Sequence, residues 1–81
     1  MFKVGNINKY YDKLGIGIVE LDGNIAVGDQ IKFVLNGNEL FEQSVDSIQT
    51  GHQKTSAAKR GDVVGLKIKE KVVEGTDIYK F

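Results

Sequence analysis

The chain contains neither cysteine nor proline, and its single histidine is His52. Without cysteine it can form no disulfide framework and no thiolate metal site. Its longest run of apolar residues and glycine, GIGIV at 15–19, is too short to span a bilayer. The segment after Met1 also lacks the long apolar stretch of a signal peptide. We therefore expect a soluble, cytoplasmic protein with no membrane partner.

Neither sign of charge is in excess, because eleven basic and eleven acidic residues cancel. This balance argues against strong, non-specific binding to nucleic acids, which needs an excess of positive charge. The charges are unevenly spread, since residues 50–71 hold six basic and two acidic residues and so carry +4. This segment is either an ordinary solvated surface or a basic binding surface.

The apolar pattern is that of an all-β protein. Short segments rich in Val, Ile, Phe and Tyr are bounded by Gly, Asn and Asp. Strands are predicted at 2–8, 14–21, 30–35, 40–49, 63–69 and 77–81, with a bulge in the fourth and one helical turn at 56–59. Asn36-Gly37 favours a type I′ hairpin. Because open edges are a liability, we expect one domain over 1–81, a small closed six-stranded Greek-key β-barrel.

One phrase occurs three times: an apolar residue, two residues, glycine, then Asp or Thr. It appears in IAVGDQI at 25–31, AKRGDVV at 58–64 and VVEGTDI at 72–78. Glycine adopts positive φ without strain, and an Asp or Thr oxygen can accept a nearby backbone N–H. The predicted structural turn residues are Gly28, Asp29, Gly61, Asp62 and Gly75.

Four longer segments carry a resemblance over nearly the whole chain. They are VGNINKYYDKLGIGIVEL at 4–21, IAVGDQIKF at 25–33, VDSIQ at 45–49 and AAKRGDVVGLKI at 57–68, with VVEGTDIY at the end. In order and spacing they resemble domain two of the translational GTPases, the barrel that follows the GTP-binding domain in elongation factor Tu. SIQTGH and AAKRGD look closest to small stand-alone elongation-factor-like proteins and to the barrel appended to collagenase-like peptidases.

The resemblance implies a barrel of the translation-protein type that binds rather than catalyses. The chain has no G-x-x-x-x-G-K-[ST] phosphate loop, so no nucleotide site is expected. Ser47 or Ser56 could be combined with His52, but nothing marks either serine as an activated nucleophile. We expect no enzyme activity, no cofactor and no metal site.

Two binding functions remain open. In the first, the chain contacts tRNA or ribosomal RNA through a basic strand face and works in translation on the ribosome. The candidate residues are Lys59, Arg60, Lys67, Lys69 and Lys71.

In the second, the chain is a protein-interaction module that docks on a larger enzyme, such as a peptidase, or on its own copy. The second predicted strand is apolar on both faces, so it has either an outward mating surface or a distorted, fully buried form. The candidate residues for this surface are Tyr10, Tyr11, Ile16, Ile18, Val34 and His52.

Overall fold

Short β-branched segments separated by glycine turns form ten strands in the computed structural model, which describes residues 1–51 and 53–81. The strands are β1 (Phe2–Tyr11), β2 (Ile16–Leu21), β3 (Ile25–Ala26), β4 (Gln30–Leu35), β5 (Asn38–Ser44), β6 (Ile48–Thr50), β7 (Gln53–Thr55), β8 (Ala57–Ala58), β9 (Val63–Lys67) and β10 (Asp77–Lys80). None of the described residues is helical. The predicted all-β class is therefore confirmed.

Eight strands make one antiparallel sheet in the order β5-β4-β10-β1-β2-β9-β6-β7, and β3 pairs separately with β8. Within the described part of the chain, strand pairing ends at β5 and β7, and the sheets do not close into a barrel. The prediction of a closed barrel with six strands is wrong in both respects. The additional strands are only two or three residues long, which is too short to show a period-2 pattern in the sequence.

The three repeated phrases form turns with the same backbone conformation at glycine. Gly28, Gly61 and Gly75 have φ angles of 97°, 92° and 90°, as the third residue of a type II turn requires. The backbone N–H of Ala26 donates to Asp29 Oδ2 at 2.9 Å, and that of Lys59 donates to Asp62 Oδ2 at 3.0 Å. In the third turn the Thr76 hydroxyl instead donates to the Val73 carbonyl at 2.7 Å.

Each turn also holds a distant buried residue by two backbone hydrogen bonds. The glycine N–H donates to the carbonyl of that residue, whose own N–H donates to the carbonyl of the Asp or Thr. The held residues are Val45 for Gly28 and Asp29, Leu21 for Gly61 and Asp62, and Ile7 for Gly75 and Thr76, with bonds of 2.8–2.9 Å. We call this arrangement a turn clasp. The repeated phrase therefore serves the architecture.

The apolar residues that flank the three turns enter one core. Ile25, Ile31, Ala58, Val64, Val72 and Ile78, each three residues from a turn glycine, are all buried. They join the held residues of the turn clasps and Phe33, which stacks on Phe41 with ring centroids 4.5 Å apart. The turns thus fix which side chains of the following strands face inward.

The β4–β5 hairpin agrees with the sequence. Gln30–Leu35 has the predicted bounds, and Asn36 and Gly37 have φ angles of 52° and 80°. Positive φ at both central residues is the signature of a type I′ turn.

The next segment differs from the prediction. The strand expected over 40–49 ends at Ser44, because Val45 leaves the ladder to enter its turn clasp. The register shift of the β4–β5 pair lies beside Leu40, earlier than the spacing of apolar residues indicates. No helical turn occurs at 56–59, where Ala57–Ala58 instead pair with Ile25–Ala26. This pairing links residues more than thirty positions apart, which local sequence does not reveal.

A buried side-chain amide joins two strands that do not pair with each other. Gln43 in β5 is only 8% exposed. Its Nε2 donates to the carbonyl of Lys67 at 2.8 Å, and its Oε1 accepts from the N–H of Lys69 at 2.9 Å. Because β5 is an edge of the sheet and Lys67 ends β9, the sheet is curled, and Gln43 bridges the gap between these strands.

Replacing Gly61 with Val should destabilise the protein by about 1–3 kcal/mol, because a β-branched residue is strained at positive φ. A Cβ at Gly61 would meet no atom within 4 Å, so steric overlap does not contribute. Urea unfolding gives the change in free energy. Gly61→Asn is the matched control, since asparagine tolerates this conformation better. Equal stability of the Val variant, the Asn variant and the parent chain would contradict the assigned role of the turn.

Replacing Gln43 with Leu should cost about 1–3 kcal/mol, because the Lys69 N–H and the Lys67 carbonyl lose their buried partner. The matched control is Gln53→Leu at an exposed position in β7, where we expect a change within about 0.5 kcal/mol. The same unfolding measurement compares the two variants. Similar stabilities would show that the Gln43 bridge does not hold the curled sheet.

Candidate functional site

The outward side of β2 carries apolar residues that the core does not use. Val19 and Leu21 are buried, whereas Ile16 and Ile18 are partly exposed on the opposite side of the strand. Tyr11, which is 41% exposed, pairs with Ile16 across the β1–β2 ladder. Of the two predicted forms of this strand, the structure has the outward apolar surface. Tyr11, Ile16 and Ile18 are brought together there.

The other predicted interaction residues lie elsewhere. Tyr10 pairs with the buried Gly17 and packs against the core. Val34 pairs with Asp77 in β10, and β10 and β1 separate it from β2. His52 lies outside the described residues. The sequence indicated apolar character correctly, but strand order decides which residues share a surface.

The five predicted RNA-binding residues fall into two groups. Lys59 and Arg60 precede β9, and Lys67 ends it. β9 spans four residue-to-residue steps, so its two ends lie about 13 Å apart.

The three lysines from the end of β9 onward make different local contacts. Lys71 Nζ lies 3.4 Å from Asp12 Oδ2, Lys69 Nζ lies 6.0 Å from the centre of the Phe41 ring, and Lys67 Nζ donates to the Leu14 carbonyl at 3.4 Å. RNA binding through these residues stays a prediction.

The sequence did not indicate an open cleft of about 590 Å³ beside the β3–β8 pair. Two turn aspartates, Asp29 and Asp62, line it together with Lys80 and Asn24. Lys80 Nζ donates to the Asn24 carbonyl at 2.8 Å and lies 3.6 Å from Asp29 Oδ2. The pairing of Ile25 with Ala58 brings the turns together. Both carboxylates already accept turn N–H groups, so the cleft is held by internal bonds.

The most enclosed lysine is unsuited to chemistry. The Lys32 side chain is 13% exposed, donates to Glu39 at 3.0 Å and lies 3.6 Å from Glu42. The hydrogen bond to Glu39 raises the pKa of the amine, with smaller contributions from both carboxylate charges opposing a burial effect. A catalytic lysine needs a lowered pKa, so that the free amine is available. Lys32 therefore remains charged and structural.

Residues 1–51 and 53–81 offer neither a metal-binding group nor a membrane-spanning helix. No three His, Cys, Asp or Glu side chains are grouped there so that they could hold a metal ion. In the same residues no helix is long and apolar enough to cross a membrane.

Sequence comparison relates the chain to proteases. No protein-family model matches it. It is 30% identical over 77 residues to an uncharacterized protease of Methanocaldococcus jannaschii, and this match covers 95% of this chain and 19% of the protease. It is 29% identical over 79 residues to a collagenase of Porphyromonas gingivalis, and this match covers 96% of this chain and 22% of the collagenase. The chain thus spans about a fifth of the length of these curated relatives.

Structural comparison relates the fold of the chain to that of a peptidase domain. The C-terminal domain of a Geobacillus thermoleovorans protein described as a U32 peptidase has a TM-score of 0.91, with 22% sequence identity. The match covers 99% of this chain and 92% of that domain. A selenomethionine variant of the same domain is covered completely, with the same TM-score. At this identity the likeness shows the fold.

These findings correct the expected biological role. The predicted functions in translation and on the ribosome are wrong, because the curated relatives are proteases and the solved neighbour is a peptidase domain. Identity with domain two of the elongation factors is not supported. The comparisons favour a module attached to a peptidase over a translation factor. The chain is similar over nearly its whole length to one segment of an uncharacterized protease and of a collagenase, and has the fold of the C-terminal domain of a U32 peptidase.

Proposed function

We propose that this chain is a non-catalytic protein-interaction module that docks on a collagenase-like peptidase. The observation that carries the proposal is the unequal coverage of the protease match, 95% of this chain but only 19% of the protease. Four fifths of such a protease therefore lie outside the matched segment. Catalytic groups belong to that larger part, and the matched segment contributes binding.

The chemistry of the described residues supports a binding role. The cysteine-free chain has no thiolate nucleophile. Its most enclosed lysine, Lys32, is held in the charged form by Glu39. The cleft beside the β3–β8 pair is lined by two aspartates, Asp29 and Asp62, that already accept backbone hydrogen bonds. In contrast, Ile16 and Ile18 leave apolar surface outside the core, which suits contact with another protein surface.

Affinity capture from the source cell tests this function. The tagged chain, after nuclease treatment, should retain a collagenase-like peptidase identified by mass spectrometry. Retention should persist at high salt, because apolar contacts are not screened as contacts to nucleic acid are. Capture that disappears with nuclease, or a set of retained proteins without a peptidase, would contradict the proposal.

The purified chain alone should not cleave peptides. A library of fluorogenic peptides, assayed with the isolated chain and with the complete peptidase, measures this difference. Hydrolysis by the isolated chain that survives repurification would contradict the non-catalytic assignment.

A further inference from the structure

Gly65 lies in the middle of β9, between the paired strands β2 and β6. Glycine in a strand interior carries an entropic cost and contributes no packing, so its presence calls for a reason. The other strand glycines have one. A Cβ at Gly17 would lie 2.4 Å from Ile68 Cδ1, and one at Gly5 would lie 2.7 Å from Val19 Cγ1. Inside the core no side chain fits at these two positions.

No such internal reason applies to Gly65. It is not among the glycines with positive φ. A Cβ there would meet Ile16 Cγ2 at 3.4 Å and Gln49 Cβ at 3.8 Å, which are ordinary packing distances. The Cβ of a larger residue is therefore compatible with the fold. The β2–β9 ladder runs through Gly65 without a register shift, so no bulge explains this glycine. Glycine in a strand interior also occurs where an outside group approaches the backbone closely.

Apolar side chains of β2 and β9 lie beside this position on the outer side of the sheet, and Gln49 of β6 borders it on the other edge. Gly65 pairs with Ile18, and Glu20 pairs with Val63 in the same ladder. Residues two apart on a strand share a side, so Ile16 and Val63 lie beside Gly65. Val63 is 53% exposed, and both isoleucines are partly exposed. Gly65 itself contributes no side chain to this surface. We call Ile16, Ile18, Val63 and Gly65 the docking face.

Positive charge borders the docking face at its Ile16–Ile18 end, whereas the exposed Glu20 lies beside Val63 at the other end. Lys9 pairs with Ile18 on one side, and Lys67 pairs with Ile16 on the other. Lys9 Nζ lies 5.2 Å from the centre of the Tyr11 ring, and Lys67 Nζ contacts the Leu14 carbonyl. Among the described residues neither lysine has a carboxylate within salt-bridge distance. A complementary partner therefore carries acidic residues opposite both lysines.

We propose that the docking face receives a segment of the peptidase body, with one apolar side chain seated over Gly65 and carboxylates facing Lys9 and Lys67. The inference rests on the proposed function and assigns it to one surface. The seated side chain becomes desolvated against Ile16, Ile18 and Val63, as the central residue of an interface does. The flanking charges fix the orientation of the segment and speed association more than they add affinity.

Gly65→Val separates docking from folding. Valine favours strands, so unfolding should need at least as much denaturant as in the parent chain. Its side chain occupies the place of the seated partner side chain, so the affinity for the purified collagenase-like peptidase of the source cell should fall at least tenfold. Gln53→Val, an exposed strand position outside the docking face, is the matched control and should bind like the parent chain. Biolayer interferometry on immobilised peptidase measures all three.

Lys67→Glu tests the acidic partner. It should weaken binding and reduce the dependence of affinity on salt, whereas Lys54→Glu, an exposed lysine in β7, should change both less. If the parent chain binds and Gly65→Val binds equally well, the docking face is wrong while the proposed function stands. If the parent chain does not bind the peptidase, both are overturned. A dimer of this chain that Gly65→Val disrupts would overturn the peptidase segment as the occupant.

Discussion

The structure depends on six backbone hydrogen bonds that three glycine turns make with Ile7, Leu21 and Val45. All three held residues are buried, so each turn ties a piece of the core to the start of another strand. The constraint is conformational, because glycine alone takes φ angles near 90° without strain. With the turns in place, Ile31, Val64 and Ile78 face inward, and the outward residues of β2 and β9 follow from the same register.

Local patterns predict the parts of this fold that local physics determines. The three turns, the hairpin at Asn36-Gly37 and the strand Gln30–Leu35 follow from glycine, Asx chemistry and alternation. The pairing of β3 with β8 and the end of β5 at Ser44 depend on contacts between distant residues. Local sequence does not reveal strand order either. The sequence therefore predicts one surface for Val34 and Ile18, although two strands separate them.

The candidate site shows the same division. Apolar residues on both sides of β2 are visible in the sequence and predict an outward surface. Gly65 is not distinguishable there from the turn glycines, because only the structure shows that it lacks both positive φ and steric crowding. The resemblance to elongation factors rests on turn phrases that stabilise the fold. Such phrases carry no information about a partner, and a shared fold does not imply a shared function.

A methyl NMR titration tests most directly whether this chain binds a peptidase through one outer surface. The chain, labelled at isoleucine and valine methyl groups, is titrated with the purified peptidase body. The account predicts that resonances of Ile16, Ile18 and Val63 shift or broaden first, whereas those of the buried Ile31 and Ile48 follow only through the slower tumbling of the complex. Changes confined to Ile25 and the cleft beside it, or uniform persistence of the free spectrum, would contradict the account.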